Sequence, residues 1–173
     1  GGVILLRSDR LEKLLEILET TEEPVSGSEL AEIFSVSRQA VVQDIAQLRK
    51  QGFQVTATPR GYLLQDGPER FRRIFAVRHG PEDIAEELGA IVNCGGLVID
   101  VIVDHPVYGE IRGNIHVKTE EDVTRFVNLL NSTGQSPLLC LSKGFHLHTI
   151  EAEQPEVLDA IEKTLEEKGF LVS

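Results

Sequence analysis

Between Ser26 and Gly52 two amphipathic helical stripes stand only three residues apart, a spacing that few folds accommodate. The segment reads SGSELAEIFSVSRQAVVQDIAQLRKQG. Ser26 or Ser28 offers an N-cap for a short helix through Phe34, with Leu30, Ile33 and Phe34 on its apolar side. Ser35-Val36-Ser37 then makes a tight turn, and Ser37 is itself a good N-cap. The next helix is predicted from Arg38 to about Gln51, ending at Gly52, a residue suited to a left-handed backbone. Val41, Ile45 and Leu48 recur at helical spacing and face its core. Upstream, residues 9–20 place Leu11, Leu14, Leu15 and Leu18 on one side of a further helix, and Pro24 closes the connection.

The third helix turns Arg38, Gln39, Val42, Gln43, Ala46 and Gln47 outward. Arg pairs with guanine O6 and N7, Gln pairs with adenine N6 and N7, and a helix start favours phosphate. Two β-prone runs follow, FQVTAT and YLL around Pro59-Arg60-Gly61, which read as a hairpin with a basic tip. Three helices and a hairpin in this order resemble the winged helix-turn-helix domain of the biotin repressor and related regulators. Stripe, turn, basic wing and exposed Gln occur together, which a helical bundle using the stripes for packing alone does not require. Arg38, Gln39 and Gln43 are then the candidates for base contacts. Ser37 stands at the helix start, and Arg49, Lys50 and Arg60 are expected at phosphate or the minor groove.

The chain of 173 residues carries a net charge of −11, which argues against a non-specific nucleic-acid coat. Its distribution leaves room for a specific one. Residues 1–66 hold seven Lys/Arg against ten Asp/Glu, and residues 67–173 hold ten against eighteen. From Arg38 to Tyr62, Arg38, Arg49, Lys50 and Arg60 face only Asp44, a local charge of +3. No apolar run approaches the roughly 18 residues of a membrane span. GGVILLRSDR lacks a basic region before its apolar stretch, so no secretory leader is expected. Cys94 and Cys140 have no metal-type spacing and read as buried free thiols of a reducing, cytoplasmic compartment.

Gln65-Asp66-Gly67-Pro68-Glu69 is a polar breaker cluster and the expected boundary between domains 1–66 and 67–173. Beyond it the pattern alternates. A strand FRRIFAVRH precedes a helix from Pro81 to about Val92, with Ile84, Ala85, Leu88, Ile91 and Val92 buried. Strands LVIDVIVDH and IRGNIHV flank a turn at HPVYGE. Thr119 and Asp122 cap a helix with Val123, Phe126, Val127 and Leu130 inward. Strands PLLCLS and FHLHTIE flank Lys143-Gly144, and a helix from Pro155 to Lys168 leads to a last strand, GFLV. The order predicts an α+β fold, an α/β sandwich with a mostly antiparallel sheet.

On a strand, His146 and His148 share a face and form a ready chelate, although two polar residues on a solvated strand would look the same. His79 sits at a strand end just before the Gly80-Pro81 helix start. Glu87 lies on the flank of an apolar stripe, where a carboxylate needs a partner and a cation would supply one. Three His and a Glu suit Zn, Ni, Co or Fe better than Mg or Ca. His116 alternates outward on its strand and reads as an ordinary surface residue.

The stretches VRHGPEDIAEEL, GLVIDVIVDHPVYGEI and LSKGFHLHTI resemble the three-histidine (3H) domain, which with a winged helix characterises niacin-responsive repressors of NAD-synthesis and niacin-uptake genes. The resemblance covers nearly the whole chain. It implies a metal site of His79, Glu87, His146 and His148, with nickel or zinc as the leading metals, and nicotinic acid or a relative as co-repressor. His105 and Tyr108 would lie near the pocket, and Arg73, Arg78 or Arg112 would meet the effector carboxylate. The expected partners are double-stranded operator DNA, bound as a homodimer, and the small effector.

Two other functions compete: a metal-dependent enzyme with an appended DNA-binding domain, and a regulator for which the metal itself is the signal. Against the enzyme, the chain has no P-loop, no GxGxxG between strand and helix, no GxSxG and no HExxH.

Overall fold

The computed structural model describes residues 7–64 and 70–172. The chain divides into two compact units, Gly1–Pro68 and Glu69–Ser173. The expected boundary cluster, residues 65–69, and the apolar start, residues 1–6, lie outside the described residues.

The first unit holds α1 (Arg7–Thr20), α2 (Gly27–Phe34), α3 (Arg38–Lys50) and an antiparallel hairpin, β1 (Val55–Thr58) with β2 (Gly61–Leu64). Local chemistry sets both helix starts of the turn motif. Ser26 Oγ accepts from Glu29 N at 3.0 Å and Ser37 Oγ from Ala40 N at 3.1 Å. Between them Ser35 is left-handed, with φ 53°, and Val36 N donates back to Ala31 O at 3.0 Å. Leu14, Leu18, Leu30, Val41, Ile45, Leu48 and Val55 form the core. Ile33, expected on the apolar side of α2, is instead 53% exposed.

An ion pair invisible to periodicity ties α1 to α3. Arg10 Nε and Nη2 donate to the buried Asp44 carboxylate at 2.5 and 3.0 Å. Asp44, counted above against the local basic charge, is therefore spent inside the fold. The wing is anchored by Val25, whose backbone exchanges hydrogen bonds with Tyr62 at 3.0 and 2.8 Å. Its close approach fits only glycine at position 61, which has φ 136°; a Cβ there would sit 2.3 Å from Val25 O.

The second unit runs β3 (Phe71–Arg78), a 3₁₀ turn (Pro81–Asp83), α4 (Ile84–Asn93), β4 (Leu97–His105), β5 (Gly109–Val117), α5 (Glu120–Thr133), a 3₁₀ helix (Leu138–Ser142), β6 (Phe145–Ala152) and α6 (Pro155–Glu167). The sheet order is β3-β6-β4-β5 and every pair is antiparallel. One face carries α4, α5 and α6 over a core of Phe75, Val77, Leu88, Ile91, Val98, Ile150, Leu158, Ile161 and Leu165. The reciprocal Thr119/Asp122 box opens α5 as expected. No helix among the described residues is long and apolar enough to cross a membrane.

Five expectations change. Cys94 is only half-buried, beside Thr164, and Cys140 is exposed on its short helix, so neither thiol is buried as expected. PLLCLS is a 3₁₀ helix rather than a strand, since Pro137 and the short apolar run start a turn of helix. GFLV makes a single bridge, Val77 to Leu171, with Arg78 N bonding Phe170 O at 2.8 Å and Val172 N bonding Ala76 O at 2.9 Å. Ala85 is exposed and Glu87 takes the buried position on α4. His116 does not alternate outward on a regular strand: β5 slips its register against β4 there and His116 turns left-handed, φ 48°.

Gly61→Ala should cost the first unit roughly 1–3 kcal/mol, because a strained backbone and a backbone clash coincide. The readout is the urea midpoint followed by circular dichroism; an unchanged midpoint would mean that the wing is not anchored through Val25.

Candidate metal centre and nucleic-acid interface

Register brings the histidines together. Val77 lies opposite His146 and Phe75 opposite His148. Opposed residues share a sheet face, so both imidazoles project to the helix side beside the buried Phe75 and Val77. His79 follows the end of β3, and α4 starts close enough for Glu87, one turn in, to reach the same point. The four side chains are buried: His79 at 7% exposure, His148 at 3%, Glu87 and His146 at 1% each.

Glu87 is the hub. Its Oε2 is in contact with His79 Nε2 and lies 3.4 Å from His146 Nε2. Its Oε1 lies 2.9 Å from His148 Nε2. The rings of His79 and His146, and of His146 and His148, stand edge to face with centroids 4.8 Å apart. Ligand atoms of His79, Glu87 and His146 fall within 4.8 Å of one another.

The far nitrogen of each ring fixes its tautomer. His79 Nδ1 donates to Gly80 O at 2.8 Å, His146 Nδ1 to Gly144 O at 2.9 Å and His148 Nδ1 to Asp100 O at 2.7 Å. A carbonyl only accepts, so each Nδ1 carries the proton, and in the neutral ring each Nε2 turns a lone pair toward Glu87. This outer bonding is how metal-ligating histidines are commonly held. His148 Nε2 and Glu87 Oε1 face each other with no hydrogen bond satisfying either. Two buried acceptors so opposed fit a shared cation, and an N3O donor set suits a first-row transition ion.

Gly144 makes the approach possible. It is left-handed at φ 89°, and a Cβ would lie 2.5 Å from His79 O. Its own carbonyl serves His146, so one residue seats two of the rings. Phe170 packs on the His79 ring at 5.0 Å.

Electrostatics follow from burial. Desolvation pushes the Glu87 carboxyl up, but His148, His146 and His79 together hold it well below the usual carboxylate range. Desolvation pushes His79 and His148 down, but Glu87, helped by the Gly80 carbonyl and Asp83 at His79 and by the Asp100 carbonyl and carboxylate at His148, raises both.

The expected pocket residues lie elsewhere. Arg78 faces Phe145, with its guanidinium 5.6 Å from that ring, on the sheet face opposite Val77 and His146. Arg112 also faces away, its Nε 3.7 Å from Asp100 Oδ2. Arg73 is on the helix side but pairs with Asp159 at 3.0 Å and Glu162 at 3.6 Å on α6. It is six strand residues from His79, about 20 Å along the chain. His105 Nδ1 accepts from Val107 N and Tyr108 N at 3.1 and 3.3 Å, so it closes its own hairpin. Tyr108 is 76% exposed beside it. None of the five joins the cluster.

On the first unit Arg38, Gln39, Val42, Gln43, Ala46, Arg49 and Lys50 are exposed along α3. The Arg38 head lies beside Gly27 at the start of α2 and near the Tyr62 ring. Arg49 Nε is used within the fold, donating to Val55 O at 2.9 Å, and Arg60 pairs with Glu23 at 3.0 Å. Ser37 serves as the α3 cap. Sequence reading missed Asp100, Gly144 and Phe170; of these only Asp100, a lone carboxylate inside LVIDVIV, carried a visible signal.

The raised histidines and the depressed Glu87 give a definite pH dependence without metal. Their mutual stabilisation needs both charges. It holds below the raised folded pKa of the histidines and fades as pH rises through it, leaving Glu87 among neutral lone pairs. It also fades as pH falls through the depressed folded pKa of Glu87. A divalent ion needs the opposite histidine state. The rise in Tm on adding metal should therefore grow from pH 6 to pH 8, and thermal scans with and without zinc over that range test this. A rise that shrinks with pH would remove the imidazoles from the ligand set.

Residues 72–173 match the 3H domain and residues 10–63 an HTH domain. The chain is 54% identical over 167 residues to the probable transcription repressor NiaR of Thermotoga maritima, covering 96% of this chain and 95% of that one. It is 39% identical over 172 residues to the transcription repressor NadR of Bacillus subtilis, covering 97% and 96% respectively. These relatives are repressors, not enzymes, and the enzyme alternative falls with that. The chain belongs to the family of transcription repressors that join an N-terminal HTH domain to a C-terminal 3H domain.

Proposed function

We propose that this protein is a cytoplasmic, homodimeric repressor of NAD-synthesis or niacin-uptake genes, with nicotinic acid as co-repressor at a metal-containing sensor site. The expected division at 66/67, two residues before the boundary between the compact units, would separate its DNA-reading part from its sensing part. The observation that carries the sensing half is the convergence of three imidazole Nε2 atoms on the one buried carboxylate of Glu87. His79, Glu87, His146 and His148 would hold one first-row divalent ion, nickel or zinc. Bound there, such an ion supplies a Lewis-acidic positive centre in a water-poor site. With three neutral imidazoles and one carboxylate around it, the set carries one net positive charge. That charge balances a single effector carboxylate, so no arginine is required beside it.

In the reading half, Arg38, Gln39 and Gln43 contact base edges, while Ser37, Arg49, Lys50 and Arg60 face phosphate. Niacin binds one arrangement of the dimer better, and that arrangement spaces two recognition helices for successive major grooves. A second reading has a specific observation in its favour. All four ligating side chains are buried, which suits an ion that is itself the signal.

Gel-shift titration separates the two. Operator binding that depends on nicotinic acid at fixed metal supports the first reading, whereas full binding with metal alone supports the second. Arg38→Ala should weaken specific binding by about 1–3 kcal/mol, near 10- to 100-fold. Unchanged operator affinity would take Arg38 off the reading surface.

A further inference from the structure

We propose that Asp100 is a positioning residue of the metal centre, acting from the opposite face of the sheet through the backbone it shares with His148's partner atom. The inference rests on the reading of His148 as a ligand. Asp100 is 2% exposed and stands alone as a charge within the Leu97–Val103 stretch of β4, and it lies where β4 slips its register against β6 between Val98 and Ile102. Two things happen at that interruption. The Asp100 carbonyl turns to the helix side and accepts His148 Nδ1 at 2.7 Å. The Asp100 carboxylate stays on the other side and grips the residue next to His148. Its Oδ1 accepts Thr149 N at 2.9 Å, and its Oδ2 accepts Thr149 Oγ1 at 3.0 Å.

One residue thus holds the chain at 148–149 from both faces. The carbonyl sets the tautomer and rotation of the His148 ring, and the carboxylate pins the peptide that carries it. A bulged ladder without this clamp would let the β6 backbone shift, and a ligating nitrogen tolerates little displacement. Arg112, opposite Ile102 on β5, approaches the same carboxylate at 3.7 Å.

The test uses cobalt(II) as probe on the full chain, with affinity from chelator competition and geometry from the visible d–d bands. Asp100→Ala should weaken cobalt binding about 10- to 100-fold and alter the bands. Asp100→Asn should recover most of the affinity, because its amide oxygen still accepts Thr149 N. Thr149→Val, which removes one bond of the clamp, should loosen cobalt several-fold. A merely structural Asp100 would lower the metal-free Tm yet leave the bands and the metal-induced rise in Tm as in the parent protein, and that result overturns the proposal. Should Asp100→Ala fail to fold, Thr149→Val decides, with unchanged affinity and bands counting against. His148→Ala is the control that separates the two levels. Parental cobalt affinity in that variant overturns the ligand reading itself, whereas lost affinity there beside an intact Asp100→Ala site overturns only the positioning role.

Discussion

The second unit is organised around one costly object, the ionised carboxylate of Glu87 held out of water. Burying such a group alone costs several kcal/mol even after relaxation, so the surrounding fold must answer its charge. It does so with three imidazoles, two from β6 and one from the residue that follows β3. The β3/β6 register sets His146 and His148 on the helix side, the end of β3 delivers His79, and the start of α4 aims Glu87 at all three. Moving any of these elements by a residue would turn a ring to the other face or leave a charge unanswered. That is why the loop before β6 takes the left-handed Lys143 and Gly144 in succession: no side chain fits where Gly144 meets the backbone of His79.

Features governed by near neighbours were legible in the residues. Ser37 caps α3, Thr119 and Asp122 form their box, and the PRGY hairpin closes, because each depends on atoms within a few residues. PLLCLS misled because a four-residue apolar run after proline has no period long enough to separate strand from helical turn. GFLV misled because strand propensity does not say whether an edge is available for more than one bridge. The candidate site divides the same way. The i, i+2 spacing of His146 and His148 fixed a shared face, but their meeting with His79 and Glu87, 59 residues or more away from His146, is a tertiary fact that entered through family resemblance. The Arg10–Asp44 pair, 34 residues apart, left no local trace at all.

The sheet also sorts the chemistry by face. Alternation along β3 sends Val77 inward and Arg78 outward, so sequence adjacency to His79 says nothing about reach into its site. The arginines that looked suited to a carboxylate are occupied by Phe145, by Asp100 and by the acidic side of α6. What packs on the histidines is apolar, chiefly Phe170 and the core beneath α4. The further charges that act on them are carboxylates, Asp83 on His79 and Asp100 on His148, so the site as a whole favours a cation.

The residues proposed for sensing all belong to the second unit and those proposed for reading DNA all belong to the first, which sets a quantitative demand on coupling. A ligand moves an equilibrium only by its difference in affinity between two states. Shifting a dimer from about 1:99 to 99:1 requires roughly 5.5 kcal/mol in total. With two equivalent sites each contributes about half, a differential affinity near 100-fold per site. A surface contact with an effector rarely supplies that much. On the proposed reading, the buried set of one carboxylate and three imidazoles would have to, and its requirement that all four side chains converge suits that task. The rigidity that makes the site costly to bury is thus what would allow it to discriminate between two arrangements of the repressor.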